Sequence, residues 1–315
     1  MRAAAILGLG SSPRDLVPFQ QDSSDEWMIG LPASPAEADA VLLSGGDGTV
    51  HRHLGALVRL KLPVLVVPAG SGNDFARSLG LLKQRDSLTA WRAFSAGLGT
   101  IRDADLGCIT PLAKNGSPHY FACVGGVGLD ADIARRANAL PRWLRKTGGY
   151  ALSLPPALWA HSPAKIRIWR AEGNTVDEDR LSDEILDRGT VSGPHIGLAL
   201  RSDQPTVLAA FANAPFYGGG MKIAPKAKLD DGLFDVCLIG GMDKFKLFCL
   251  FPTVYFGRHL GVNEVQYFSA SRAVLESEPP LDVYADGEFV CKTPAEFRVA
   301  RAALRVIVKS ENLSA

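Results

Sequence analysis

Twice before residue 81 an apolar run ends in a glycine turn and passes into helical periodicity. The first unit is AVLLSGGDGTVHRHL at 40–54, and the second is LPVLVVPAGSGNDFARSLG at 62–80. Short, unalternating apolar runs are expected of strands covered on both faces, as in a parallel sheet. Val50, Leu54, Leu57 and Val58 then recur at a spacing near 3.6, and Phe75 and Leu79 share a face, so a helix follows each turn. Strands alternating with helices predict a parallel sheet with helices packed on it. Two glycine turns on neighbouring strands of such a sheet would converge at its carboxyl edge, where these folds bind ligands.

The turns also carry chemistry. Glycine allows positive φ and lets another group approach closely. The N-terminus of the following helix offers unpaired N–H groups and a partial positive charge. Together these make a phosphate cradle from Gly45, Gly46, Gly48 and Thr49. Asp47 inside the turn would repel a phosphate unless Mg²⁺ stood between them, and hard oxygen ligands suit Mg²⁺. In the second turn Ser71 offers a hydroxyl, while Asn73 or Asp74 can cap the next helix. The plain alternatives are a ligand-free βα turn and simple capping. The Gly-Lys-Ser/Thr ending of a P-loop is absent.

From about residue 105 the character changes to many short strand-like runs, among them YFACVGGVGLD, AKIRIWRA, TVLAAFANA, FDVCLIG and FRVARAALRVIV. Such a series suggests a sandwich or barrel. Helical patterns are fewer, around 130–147, 147–160 and 243–258. In FYGGGMKIAPKAKLDDGLFDV at 216–236, Asp231 and neighbouring carbonyls could hold a cation, although an Asp-Gly hairpin turn fits equally well. In VYADGEFV at 283–290, Asp286 and Glu288 would point the same way in an extended chain. Paired carboxylates raise the pKa of one and make a proton acceptor; the alternative is a hairpin turn with solvated acids. Residues 171–193 are crowded with acids and read as an exposed insertion or long hairpin.

The chain has 315 residues, a length that favours two domains. A net charge of +1 advertises no nucleic acid. The five cysteines form no CxxC pair and read as reduced thiols of a cytoplasmic protein. MRAAAILGLGSS reads as a first strand rather than a signal peptide, and no apolar run approaches the ~20 residues that span a bilayer.

GGDGT at 45–49, PAGSGNDFAR at 68–77, FYGGGMKIAPKAKLDDGLFDV at 216–236 and ADGEFV…TPAEFRV at 285–299 resemble the diacylglycerol kinase catalytic-domain family, in order and over most of the chain. YFACVGGVGLDADI at 120–133 resembles the stretch that opens the family's second domain. The resemblance implies an N-terminal phosphofructokinase-like parallel α/β domain and a C-terminal β-sandwich domain, with ATP and Mg²⁺ in the cleft between them. The expected boundaries are 1–105, with a C-terminal return at about 300–315, and 106–299. Carried over, Gly45, Gly46, Asp47, Gly48, Thr49 and Ser71 line the nucleotide, with Asn73 and Asp74 beside them. Glu288, with Asp286 next to it, falls on the proton acceptor. Asp231 falls on a structural Mg²⁺ ligand, completed by carbonyls of Lys228 and Leu233. Asp74 and Asp105 fall near the catalytic cleft. Where the family often has Asn-Glu after GGDGT, this chain has His51 and Arg52.

The implied activity is transfer of the γ-phosphoryl group of ATP to a lipid hydroxyl, as on diacylglycerol. An NAD kinase-like or sugar kinase activity and a non-catalytic nucleotide-binding regulator are the alternatives; the intact Asp-Gly-Glu speaks against the last. A lipid kinase touches the membrane without crossing it. ARRANALPRWLRKTGG at 134–149 could do so through Arg142, Arg145 and Lys146 around Trp143, or be a solvated basic helix with Trp143 buried. A homodimer is left open.

Overall fold

The computed structural model describes residues 1–21, 25–113, 116–140, 149–171 and 195–310. The basic cluster at Arg142–Lys146 and the acidic insertion, apart from Ala171, lie outside the described residues.

Four parallel strands open the chain: β1 (Arg2–Leu7), β2 (Glu26–Ile29), β3 (Ala40–Gly45) and β4 (Val64–Pro68), in the spatial order β4-β3-β1-β2. Helix α1 (Asp47–Leu60) follows β3, and α2 (Asp74–Ser78) and α3 (Gln84–Ser95) follow β4. The periodicity read from the sequence is the packing observed. Leu54 and Leu57 of α1, Phe75 of α2 and Trp91 of α3 are buried with Leu42, Leu43 and Val66 of the sheet. Burial on both faces is why β1, β3 and β4 carry no polar alternation, while β2, at the sheet edge, is not buried.

The second half is almost wholly antiparallel. Its strands are β5 (Thr100–Pro111), β6 (His119–Phe121), β7 (Val124–Gly128), β8 (Ala164–Ala171), β9 (Leu198–Ala212), β10 (Phe234–Gly240), β11 (Val265–Ala270), β12 (Arg272–Glu278), β13 (Asp282–Ala285), β14 (Glu288–Lys292) and β15 (Ala295–Val308). Their shared interior is aromatic: Phe211 stacks on Phe297 at 4.1 Å between ring centroids, and Phe121 stacks on Phe234 at 5.8 Å. Outside it lie α4 (Leu129–Ala139), α5 (Gly149–Ala160) and α6 (Lys244–Val254). The expected class, an α/β half followed by a β-sandwich half, is the architecture found.

Two long strands join the halves. β5 and β15 pair antiparallel from Ala295↔Pro111 to Val308↔Thr100, with a register shift between Ala300 and Leu304. At its far end β15 lies parallel to β4, with Val306 opposite Val64. No loop lies at residue 105, because β5 runs straight through it.

Candidate active site

Gly45 ends β3, Gly46 is the residue before α1, and Asp47 is the first residue of that helix. None of Gly45, Gly46, Gly48, Gly70 or Gly72 has positive φ, so the expected left-handed backbone is not why glycine stands there. The reason is close approach. A Cβ on Gly70 would sit 2.4 Å from the Cα of Gly46, so the two turns touch backbone to backbone. A Cβ on Gly45 would meet Thr49 Oγ1 at 2.6 Å, and one on Gly72 would meet Asp47 Oδ2 at 2.7 Å. β3 and β4 are neighbours with Gly45 opposite Pro68, which brings the turns together at the sheet's carboxyl edge.

The expectation that Asn73 or Asp74 caps α2 by its side chain is corrected. Asn73 precedes the helix with φ of 56°, and its side chain turns back instead. Its Oδ1 accepts from Gly70 N at 2.8 Å while its Nδ2 donates to Gly70 O at 2.7 Å, clamping the turn. Asp74 accepts at Oδ2 from Gly219 N at 2.8 Å and pairs with Arg77 at Oδ1. Asp47 Oδ1 accepts from Phe75 N at 3.1 Å. Ser71 is exposed at the rim. Here positive φ is used elsewhere: Gly218, Gly219 and Gly220 run at 60°, 91° and 107°, which aims the Gly219 amide at Asp74.

Asp286 and Glu288 are not on an extended chain. Asp286 (φ 48°) and Gly287 (φ 86°) are the two central residues of a tight turn joining β13 to β14, with Ala285 paired to Glu288. Positive φ at both positions is what an Asp-Gly hairpin turn supplies. The turn sends the two acids to different places. Asp286 points inward and accepts from the backbone N–H of Ala122, Cys123 and Val124 at 2.7, 2.9 and 3.2 Å. Glu288 is exposed, and its Oε1 lies 3.8 Å from where a Cβ on Gly48 would stand. The hairpin therefore carries Glu288 to the first glycine turn.

His51 completes the contact between the halves. It is buried, its Nδ1 faces Asp286 Oδ2 at 3.2 Å, and its Nε2 faces His119 Nε2 at 2.8 Å. With Nδ1–H donating to the carboxylate, neutral His51 accepts at Nε2 from His119. His51 lies one helical turn beyond Asp47, a spacing that puts both on one side of α1. That spacing was a usable signal for His51; His119, a short strand away, had none.

The cleft is electrically strained. Asp47 is pushed up to about 6 by burial and by the charges of Asp74 and Asp286. Burial raises Asp74 too, with Asp286 adding to the shift, although Arg77 and the Gly219 amide oppose it. His51 is held above the ordinary imidazole range: burial works against its charged form, but the hydrogen bond and charge of Asp286, with Glu288, outweigh that. His119 moves the other way through burial and the neighbouring His51. Crowded carboxylates of this kind fit a divalent cation, which would relieve each of them. Among the described residues no three His, Cys, Asp or Glu side chains enclose a metal by themselves. A Mg²⁺ that arrives with phosphates needs only one or two carboxylates.

The Asp231 turn stands apart. Asp231 Oδ1 accepts from Leu233 N at 3.1 Å, as in a simple Asp-Gly turn, and its carboxyl is raised by burial and by Asp105 nearby. Asp105 is a buried post, and Asn213 Nδ2 bridges its carbonyl to that of Ala122, whose N–H binds Asp286. Asp105 Oδ2 accepts from Gly232 N and its Oδ1 from Ala302 N, each at 2.7 Å. It ties the Asp231 turn to the irregularity in β15, where Ala302 has φ of 47°.

Comparison with known proteins matches this layout. Residues 21–109 fit the diacylglycerol kinase catalytic domain, and residues 123–308 fit the YegS C-terminal NAD kinase beta sandwich-like domain. A diacylglycerol kinase of Mycobacterium tuberculosis is 34% identical over 91% of this chain and 82% of its own length. A diacylglycerol kinase of Bacillus subtilis is 25% identical over 89% of this chain and 80% of its own. A crystal structure of a diacylglycerol kinase from Bacillus anthracis superposes with a TM-score of 0.61, covering 98% of this chain and 97% of that one at 15% identity. Two glycine turns meeting at one sheet edge, an Asp-Gly-Glu hairpin carried to them from a sandwich, and these matches along the chain lead to one conclusion: the protein belongs to the diacylglycerol kinase catalytic-domain family of lipid kinases.

Proposed function

We propose that this chain is an ATP-dependent lipid kinase, transferring the γ-phosphoryl group to the hydroxyl of diacylglycerol or a related lipid alcohol at the cytoplasmic face of a membrane. The observation that carries the reading is Glu288. It is an exposed carboxylate within reach of the first glycine turn, on a hairpin whose other acid, Asp286, is fixed by three backbone amides.

Phosphoryl transfer needs mainly positioning and charge neutralisation. The N-terminal N–H groups of α1, reached past Gly45, Gly46 and Gly48, would hold phosphate oxygens, with Thr49 and Ser71 as hydroxyl donors. Asp47 and Asp74 would hold the cation, and Mg²⁺ there would neutralise charge on the phosphates. Gly72 keeps space open beside Asp47. Asp286 holds the hairpin, and Glu288 would take the proton of the lipid hydroxyl as its oxygen attacks, which typically contributes ~10²–10⁴-fold. The lone carboxylate of Asp231, with carbonyls of Lys228 and Leu233, would hold a second, structural Mg²⁺.

Support for a lipid over a soluble acceptor comes from the relatives named as diacylglycerol kinases. The test is an acceptor panel with labelled ATP: diacylglycerol, a long-chain amino alcohol lipid, NAD and fructose 6-phosphate. Label should enter a lipid alone, and Glu288→Gln should cut kcat by ~10²-fold or more with the KM for ATP little changed. Label in NAD or the sugar phosphate, or a Glu288→Gln enzyme with wild-type kcat, would sink the reading.

A further inference from the structure

Helix α6 has two apolar faces where a surface helix needs one. Leu247, Leu250 and Val254 are buried. On the opposite side stand Phe245, Phe248, Cys249 and Pro252, followed by Phe256 just past the helix end. Phe245, Phe248 and Phe256 are 76%, 55% and 73% exposed. Trp159, at the end of α5, is 77% exposed and extends the patch: Lys244 Nζ donates to its carbonyl and stands 5.6 Å over its ring. A helix apolar all round belongs in a protein core or a membrane, and among the described residues none covers this face. Contiguous exposed aromatics of this kind mark an interaction surface.

The charges around the patch select the occupant. Lys244 flanks its start and Arg258 follows its end, both exposed, and the exposed Lys246 offsets Glu264. The acids beside it are engaged: Asp243 accepts from Phe245 N and Lys246 N, and Glu264 pairs with Lys246. Aromatic rings framed by basic side chains suit the boundary between headgroups and acyl chains of an anionic bilayer. The opposite face of the same helix leads toward the site. The buried face of α6 lines an apolar cleft with Leu129, Ile133 and Tyr217, and Tyr217 immediately precedes the glycines that bind Asp74.

We infer that the outer face of α6, together with Trp159, docks this chain on an anionic bilayer. The inference rests on the lipid kinase reading for its biological sense, but its test does not depend on turnover. The full-length chain is floated with vesicles of phosphatidylcholine, with and without phosphatidylglycerol and free of diacylglycerol. Wild type should rise with the anionic vesicles, and Phe245→Ser/Phe248→Ser should lose at least about tenfold in partitioning, as removal of two buried phenyl rings implies. Its kcat on a dispersed short-chain diacylglycerol should be unchanged. If the double variant melts early, Phe256→Ser, beyond the helix, serves in its place. Quenching of wild-type fluorescence by brominated lipid should fall in Trp159→Phe. Equal flotation of wild type and variants overturns the inference, as does a wild type that ignores vesicles. So does a dimer broken by the same substitutions, which would give the face to a second copy. Phenylalanine-dependent flotation without phosphorylation of any lipid would instead overturn the kinase reading and leave the docking surface standing.

Discussion

Asp47 shows what crowding of carboxylates in the cleft costs. Its carboxyl is raised to about 6, so between the ordinary carboxylate range and that value the folded chain binds a proton the unfolded chain releases. Stability of the nucleotide-free protein therefore falls as pH climbs through that window. Asp47→Asn keeps an oxygen for Phe75 N and removes the charge. It should melt higher than wild type at pH 7, with a smaller gap near pH 4.5, while turnover is abolished. A lower melting temperature at pH 7 would show that Asp47 supports the fold rather than the ligand. His51 has the opposite sign. Its raised value favours the folded state below the ordinary imidazole range, an advantage lost as pH rises through the folded value. His51→Asn should thus destabilise more at pH 6 than at pH 8.5 in paired denaturant titrations; equal losses would mean that the ring merely fills space.

At the scale of elements, the site is made by turns held against each other. The Gly46–Gly70 contact and the Gly72–Asp47 contact make different demands. Gly70→Ala forces a Cβ onto backbone, at 2.4 Å from the Cα of Gly46, and should lower both stability and activity. Gly72→Ala crowds the movable tip of Asp47 and meets Asp74 Oδ2 and the Gly219 Cα at ordinary contact distance. It should leave the melting temperature nearly intact while kcat/KM for ATP falls ~10²-fold, as displacing a positioning group by about 1 Å can do. Circular dichroism melts beside steady-state kinetics separate the two, and similar profiles for both would refute the distinction. The strand–turn–helix units themselves were legible in the sequence because burial on both faces leaves an unmistakable apolar run. The use made of the glycines was not, because which neighbour crowds a turn depends on the strand beside it.

Across the whole molecule, β5 and β15 make one ladder through both halves, and Asp105 pins it at its irregular point. Asp105→Ala strips the acceptor from two N–H groups, those of Gly232 and Ala302. At about 1–3 kcal/mol for the buried Gly232 donor left unpaired and about 1 kcal/mol for that of the exposed Ala302, the loss should reach about 2–4 kcal/mol. The shared ladder predicts that tryptophan fluorescence, which reports both halves through Trp27 and Trp91 in the first and Trp159 and Trp169 in the second, and far-ultraviolet circular dichroism shift together. Two separated transitions, or a loss under about 1 kcal/mol, would show that the ladder does not couple the halves.

The sequence by itself determined the parallel first sheet, the strand-rich second half and the glycine turns at 45–49 and 70–74, since each is written in local periodicity and composition. It also held the family's motifs, and with them Asp47, Asp74, Asp286 and Glu288 as the acids to watch. Only the tertiary structure decided how those acids divide their work. In sequence Asp286 and Glu288 look like a matched pair; the hairpin turns one inward onto the amides of 122–124 and leaves the other facing Gly48. It also recruited His51 and His119 and gave Asp105 two backbone amides to hold. The physical reason is common to all of these: a side chain's role follows from which donors and charges surround it. Those neighbours lie up to 235 residues away along the chain, as for His51 and Asp286, where no local pattern can register them.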